Sequence, residues 1–212
     1  MLNERGFFPI GDSVRSRSFP LVTVTLIFTN ILVFILSSAL PSTFILQFAF
    51  VPAMPSVVTL FTHMFLHADL FHLLGNMWFF WIFGDNVEDR LGRPRFTLLY
   101  FLSGIGAVTL HFILNPTSTV PLVGASGAIS GVLGAYILLF PKAKVHVYYG
   151  YFMSGNIPAF LYAFIWFGFQ LLYGIATLGA NAGIAFFAHI GGFIAGIILS
   201  IILCPKAGRV RV

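Results

Sequence analysis

The chain has 212 residues, of which 58% are hydrophobic and only 8% are charged. A soluble domain does not combine so few charges with so many aromatic side chains, so the composition indicates an integral membrane protein. The net charge of +5 comes from basic residues scattered in loops, without the basic stripe expected of a nucleic-acid-binding protein. A single cysteine, Cys204, excludes an internal disulfide.

Candidate membrane spans are runs of about 20 apolar residues, because that length crosses about 30 Å of hydrocarbon. Six such runs are present, at residues 20–40, 70–88, 96–114, 125–140, 157–178 and 182–204. The fourth is short, so we expect its outer end to stop below the membrane surface and the preceding linker to dip inward along a water-filled cavity. The sequence thus predicts one membrane domain over 20–204, flanked by tails at 1–19 and 205–212.

Residues 41–69 are also apolar, but Pro52 and Pro55 interrupt them and the basic residues argue against a seventh span. The eleven Lys and Arg lie in four groups, at residues 5–17, 90–95, 142–144 and 206–211. Six spans place all four groups on one face, which the positive-inside rule makes cytoplasmic, whereas seven would place the first group opposite the others. We therefore expect residues 41–69 to lie in the outer leaflet and both termini to be cytoplasmic.

Four polar side chains on three spans are at matched depth. Ser126 and His189 lie 16 and 17 residues before the next basic group in the chain, and His72 and Asn76 lie 18 and 14 residues before theirs. At about 1.5 Å rise per residue, Ser126 and His189 stand roughly 24–26 Å above the cytoplasmic face, with the other two at about the same level. Polar side chains at such depth are costly and are usually functional.

Ser126 lies between Gly124 and Gly127 at the start of the fourth span, where free backbone N–H groups and the helix dipole favour an oxyanion. The sequence contains no Asp or Glu after Asp89, which argues against aspartyl-protease and zincin chemistry. A nucleophilic Ser126 with His189 as general base remains. The alternatives are an N-cap serine on a glycine-rich packing helix and a histidine bonded to a backbone carbonyl. Rows of small residues at every fourth position on the fourth and sixth spans also predict that these two spans pack with their backbones close together.

His72 and Asn76 are one helical turn apart on the second span, and both can offer N–H donors to an anionic oxygen. The alternative role is hydrogen bonding between helices. His63 and His67 have the same spacing and could bind a metal, but Asp69 is the only carboxylate nearby, so neither a metal nor another cofactor is expected.

Three further polar residues in the spans, Asn30, His111 and Gln170, are expected to form structural hydrogen bonds. Gln170 is also a candidate to line an access route to the polar layer.

Four motifs in chain order resemble those of the rhomboid intramembrane serine proteases, over roughly residues 60–200. They are His63-x3-His67-x4-His72-x3-Asn76, Gly84-x3-Glu88-x3-Gly92-x3-Phe96, Gly124-Ala125-Ser126-Gly127 and Ala188-His189-x2-Gly192. The resemblance implies an all-α, six-helix membrane bundle with a first loop in the outer leaflet. It also implies Ser126 as nucleophile, His189 as base, and an oxyanion site of His72, Asn76 and the Ser126 backbone N–H.

The resemblance further implies cleavage of transmembrane segments of other proteins in the bilayer, with the fifth span controlling lateral access. The chain is similar to a minimal prokaryotic form, which implies a location in the plasma membrane; the sequence does not indicate an oligomeric state. Two features depart from some relatives: Ser130 replaces an aromatic residue one turn after the nucleophile, and residues 41–69 contain no Trp-Arg pair. The alternative function is that of a catalytically silent relative that binds or escorts membrane proteins, although such relatives lack the serine or the histidine.

Overall fold

The computed structural model describes residues 8–148, 154–176 and 186–204. The helices are α1 (Leu21–Ser38), α2 (Ser42–Leu46), α3 (Thr59–Thr62), α4 (Leu70–Leu91), α5 (Arg93–Leu114), α6 (Ser126–Leu139), α7 (Ala159–Ala176) and α8 (Phe186–Leu203). The strands are β1 (Phe8–Asp12), β2 (Lys144–Tyr148) and β3 (Ser154–Pro158). The predicted helical membrane fold is confirmed, and its six long helices lie where the six spans were predicted. Parts of the last two predicted spans, residues 177–178 and 182–185, lie outside the described residues, as do most of the two tails.

The long helices differ in how well they suit a bilayer crossing. Among the described helices, α1, α5 and α8 have both the length and the hydropathy of a membrane span. Helix α4 has 22 residues but ends in the charged stretch around Glu88, and α6 has only 14 residues. At 1.5 Å per residue, α6 is about 21 Å long, which is less than the hydrocarbon thickness. Its short length agrees with a first turn recessed from one membrane face.

A small antiparallel sheet, in the order β1-β2-β3, was not predicted from the sequence. In β2, Val145 and Val147 are fully buried while the neighbouring Lys144 and Tyr148 are exposed, which is the alternation of a strand with one face on a core. Strand β1 is part of the N-terminal tail. The Trp78 indole of α4 donates a hydrogen bond to the Pro9 carbonyl of this strand at 2.7 Å. The sheet therefore joins the N-terminal segment, the α6–α7 connection and α4.

The start of α1 is held by a carboxylate from α4. Glu88 is only 2% exposed, and its oxygens accept hydrogen bonds from the backbone N–H groups of Val22 and Thr23 at 2.9 and 2.8 Å and from the Thr23 hydroxyl at 2.8 Å. These are first-turn donors that α1 cannot satisfy internally, and no side chain of its own N-cap, Pro20, does so. Glu88 thus acts as a cap supplied by another helix.

Glycines bring α6 and α8 into backbone contact. A Cβ on Gly192 or Gly196 of α8 would collide with the carbonyl oxygen of Gly127 or Gly131 of α6. Both helices also pack on α5, where a Cβ on Gly127 would strike the Ala107 side chain. These contacts confirm the close approach expected from the small-residue rows, and they fix the first turns of α6 and α8 side by side.

The segment 41–69 contains short helices and packs against the long helices. It contains α2, α3 and a 3-10 turn (His63–Phe65), and Phe50 pairs with Leu122 in an isolated β-bridge. Met64 is fully buried against α5, where its sulfur fills the space beside Gly104. The His63 carbonyl accepts a hydrogen bond from the Gly124 N–H at 2.9 Å, so this segment supports the turn that precedes α6.

Candidate active site

Ser126 is the first residue of α6, and the turn before it requires glycine. Gly124 has φ +120°, a conformation that side chains with a Cβ rarely adopt, and a Cβ there would lie 2.8 Å from His72 Nε2. The N-cap position belongs to Ala125, and no side chain caps the helix. The Ser126 hydroxyl is therefore not used as a cap, and the first backbone N–H groups of α6 remain available at the positive end of its dipole.

The structure places Ser126 and His189 in direct contact. His189 Nε2 lies 2.7 Å from Ser126 Oγ, and Nδ1 lies 2.7 Å from Oε1 of Gln170 on α7. An amide oxygen cannot donate, so with the amide in this orientation Nδ1 carries the proton and donates it to Gln170. Nε2 is then left with a lone pair that accepts the Ser126 hydroxyl. This tautomer is the one that a general base for Ser126 requires.

His72 and Asn76 face the same cavity as Ser126. The place where a Cβ of Gly124 would stand is within 4 Å of both His72 Nε2 and Ser126 Oγ, so the ring nitrogen and the hydroxyl flank one small space. The Ala68 N–H approaches His72 Nδ1 at 3.5 Å, which favours a proton on Nε2 that points into this space. Asn76 Nδ2 donates one hydrogen to the His72 carbonyl at 3.0 Å and has a second to offer.

A cavity of about 530 Å³ opens at this point, which is within the range of ligand pockets in proteins. Its wall includes all four side chains that the sequence singled out, together with two from α7: Ser126, His189, His72, Asn76, Trp166 and Gln170. The Trp166 ring centroid lies 6.0 Å from that of His189 in a tilted arrangement.

The two earlier histidines have structural surroundings. His63 is buried and its Nδ1 bonds the Thr59 carbonyl at 2.8 Å, while His67 is buried with its ring 5.1 Å from that of His72. Burial lowers the pKa of both His63 and His67 to about 4, so both imidazoles are neutral at pH 7. Among the described residues, no group of three or more His, Cys, Asp or Glu could hold a metal ion.

Asn30 and His111 lie apart from the cavity, whereas Gln170 lies on its wall. Asn30 donates to the Leu26 carbonyl at 2.8 Å within its own helix, and His111 is absent from the cavity wall. The sequence predicts a structural hydrogen bond or a place on an access route for Gln170, and the structure shows a hydrogen bond and a place on the cavity wall. The sequence did not indicate that its partner is His189, the candidate base. The available signal was a single amide in an otherwise apolar span.

The comparisons with known proteins agree on one family. The family model of the Rhomboid domain matches residues 55–206. RHOMBOID-like protein 1 of Arabidopsis thaliana is 33% identical over 144 residues, which are 68% of this chain and 33% of that protein. Rhomboid protease GluP of Bacillus subtilis is 34% identical over 150 residues, or 70% of this chain and 27% of the relative. Rhomboid protease GlpG of Salmonella newport is 27% identical over 186 residues, or 84% and 66%.

The chain thus spans a third or less of the length of the first and second of these relatives and about two thirds of the third. The matched region nevertheless contains every residue of the cavity wall described above. The Rhomboid domain model matches most of the chain, and the fold is helical as described above. The chain belongs to the rhomboid family.

Proposed function

We propose that this chain is an intramembrane serine endopeptidase that uses Ser126 and His189 as a catalytic dyad. The observation that supports it most is the 2.7 Å contact between Ser126 Oγ and His189 Nε2 at the wall of a cavity within a membrane fold. A serine becomes a nucleophile when an adjacent base can take its proton, and this pair has the required distance and tautomer. The names of two similar proteins, rhomboid proteases GluP and GlpG, support the same reaction class.

In the proposed reaction, His189 Nε2 takes the Ser126 proton as Oγ attacks the carbonyl carbon of the scissile peptide bond. The C–N bond then breaks, and His189 returns the proton to the departing amine, which leaves an acyl-enzyme. His189 next activates a water molecule that hydrolyses the ester and restores the Ser126 hydroxyl. Each step moves one proton through the same ring nitrogen.

The oxyanion formed in each tetrahedral intermediate needs donors in place before the reaction. We propose the Ser126 backbone N–H, His72 Nε2–H and the free Nδ2–H of Asn76 for this role. All three belong to residues on the wall of one cavity, at the positive end of the α6 dipole. Fixed donors of this kind stabilise developing charge without reorganising during the reaction.

The proposed substrates are transmembrane segments of other proteins in the same bilayer, because the cavity is set within a bundle whose outer surface is apolar. We also propose six spans with cytoplasmic termini, in the plasma membrane of a prokaryote, on the one-sided distribution of basic residues. The alternative, a silent relative that binds or escorts membrane proteins, would need neither the serine–histidine contact nor a reactive hydroxyl.

The test is covalent labelling with a fluorophosphonate probe in detergent, followed by peptide mass mapping. We expect the label on Ser126, and we expect Ser126→Ala and His189→Ala to lose both the label and cleavage of a transmembrane substrate. Ser200→Ala is the matched control, since Ser200 is a buried serine of α8 bonded to the Ile197 carbonyl, outside the cavity wall. A wild-type protein that folds but takes no label at Ser126 would favour the escort function.

A further inference from the structure

The candidate base is held by α7, a helix that carries neither the nucleophile nor an oxyanion donor. We propose that Gln170 is a positioning residue for His189, which holds the imidazole in the tautomer that Ser126 requires. The inference rests on the proposed dyad and adds a third residue to it. Its basis is the 2.7 Å contact between Gln170 Oε1 and His189 Nδ1.

The contact selects the tautomer of a half-buried imidazole. With Gln170 as acceptor, the proton stays on Nδ1 and Nε2 faces Ser126 as a lone pair. Without an acceptor at Nδ1, a neutral imidazole gains by shifting its proton to Nε2 and donating to Ser126 Oγ, where it cannot take the serine proton. Loss of the Gln170 oxygen therefore removes the base without removing His189.

The nucleophile helix gives His189 no equivalent support. Ser130, one turn after Ser126, is short, and its hydroxyl donates to the Ser126 carbonyl at 2.6 Å. The aromatic ring near His189 comes instead from Trp166, which lies one turn before Gln170 on α7. Both the ring contact and the Nδ1 acceptor thus belong to the same face of α7.

The part of α7 that carries Gln170 contributes few side chains to the interior of the bundle. The buried residues of this helix, among those whose side chains are described, are confined to its first five positions, Ala159–Ala163. Beyond them every described side chain is half-buried or exposed, including Phe164 at 73% and Leu172 at 62% exposure. In this half of α7, the Gln170 side chain therefore contributes a specific polar contact with α8, at His189 Nδ1.

The experiment compares Gln170→Leu, which removes the acceptor, with Gln170→Glu, which keeps an oxygen at this position in either protonation state. Phe169→Leu is the matched control, since Phe169 is the 51% exposed neighbour of Gln170 outside the cavity wall. The readouts are the rate of fluorophosphonate labelling at Ser126 and kcat and KM for a transmembrane substrate. We expect Gln170→Leu to lower the labelling rate and kcat about 10- to 100-fold with KM unchanged, and Gln170→Glu and Phe169→Leu to stay within about threefold of wild type.

A third readout reports the tautomer directly. In protein labelled with ¹⁵N-histidine, we expect Nδ1 of His189 to be protonated in the wild type and in Gln170→Glu, and Nε2 to be protonated in Gln170→Leu. Gln170→Met serves as the second variant that lacks the acceptor, in case the leucine protein does not fold. Wild-type kcat in both acceptor-free variants, a change confined to KM, or an unchanged tautomer would each overturn the inference. A wild type without label at Ser126 counts against the dyad instead, and the tautomer comparison still decides the role of Gln170.

Discussion

The interhelical cap made by Glu88 gives a sharp stability prediction. The carboxylate of this α4 residue accepts three hydrogen bonds from Val22 and Thr23 at the start of α1, and the Thr23 side chain is fully buried. Glu88→Gln keeps the shape but replaces one acceptor oxygen with an NH₂ group that faces backbone donors. At least one first-turn N–H of α1 then has no partner in a buried place.

The magnitude follows from the number and kind of bonds. A hydrogen bond to a charged group contributes about 1.5–3 kcal/mol, and a buried donor left without a partner costs about 1–3 kcal/mol. Loss of the negative charge at a helix N-terminus adds a few tenths to about 1 kcal/mol. We therefore expect Glu88→Gln to lower the free energy of unfolding by about 2–4 kcal/mol, measured by equilibrium denaturation in detergent micelles.

The neighbouring Asp89 provides the matched control. Its Oδ1 accepts hydrogen bonds from the Ser18 N–H and hydroxyl, but these bonds are exposed to solvent. Asp89→Asn makes the same chemical change one position later, and we expect it to cost less than about 1 kcal/mol. Equal losses in the two variants would refute the assignment of Glu88 as a buried cap.

Three other predictions concern the site, the sheet and the topology. His72→Ala and Asn76→Ala should each lower kcat about 10- to 1000-fold through loss of an oxyanion donor; an effect on KM alone would contradict this. Burial raises the pKa of Asp12 in β1 from 3.8 to about 6, so the folded state holds its proton more tightly and stability should fall by about 1–3 kcal/mol as pH rises from about 4 to above 6. Denaturation at several pH values should show this slope in the wild type and a reduced slope in Asp12→Asn. In cells, a cysteine at exposed Thr117 should react with an impermeant maleimide from outside, and one at exposed Lys142 only after the membrane is opened.

The positions of the six long helices could be predicted because a membrane span must be apolar, long and internally hydrogen-bonded. The start of α6 was predicted to within one residue because the glycines around Ser126 and the polar linker mark where the helix can begin. The close approach of α6 and α8 also followed from sequence, since small residues at every fourth position leave no side chain between two backbones. These features are local or periodic, so a single sequence is enough to recognise them.

The small sheet and the Gln170 contact depend instead on which segments meet in space. Strand β1 pairs with a strand more than 130 residues later, so the short run Phe8–Asp12 carries too little local pattern to reveal its partner. Gln170 reaches His189 only because α7 packs beside α8, and its spacing of 19 residues from the histidine crosses the connection between the two helices. A lone amide in an apolar span needs a polar partner, and the sequence offers several candidates at similar depth. The one that the fold selects is Nδ1 of His189.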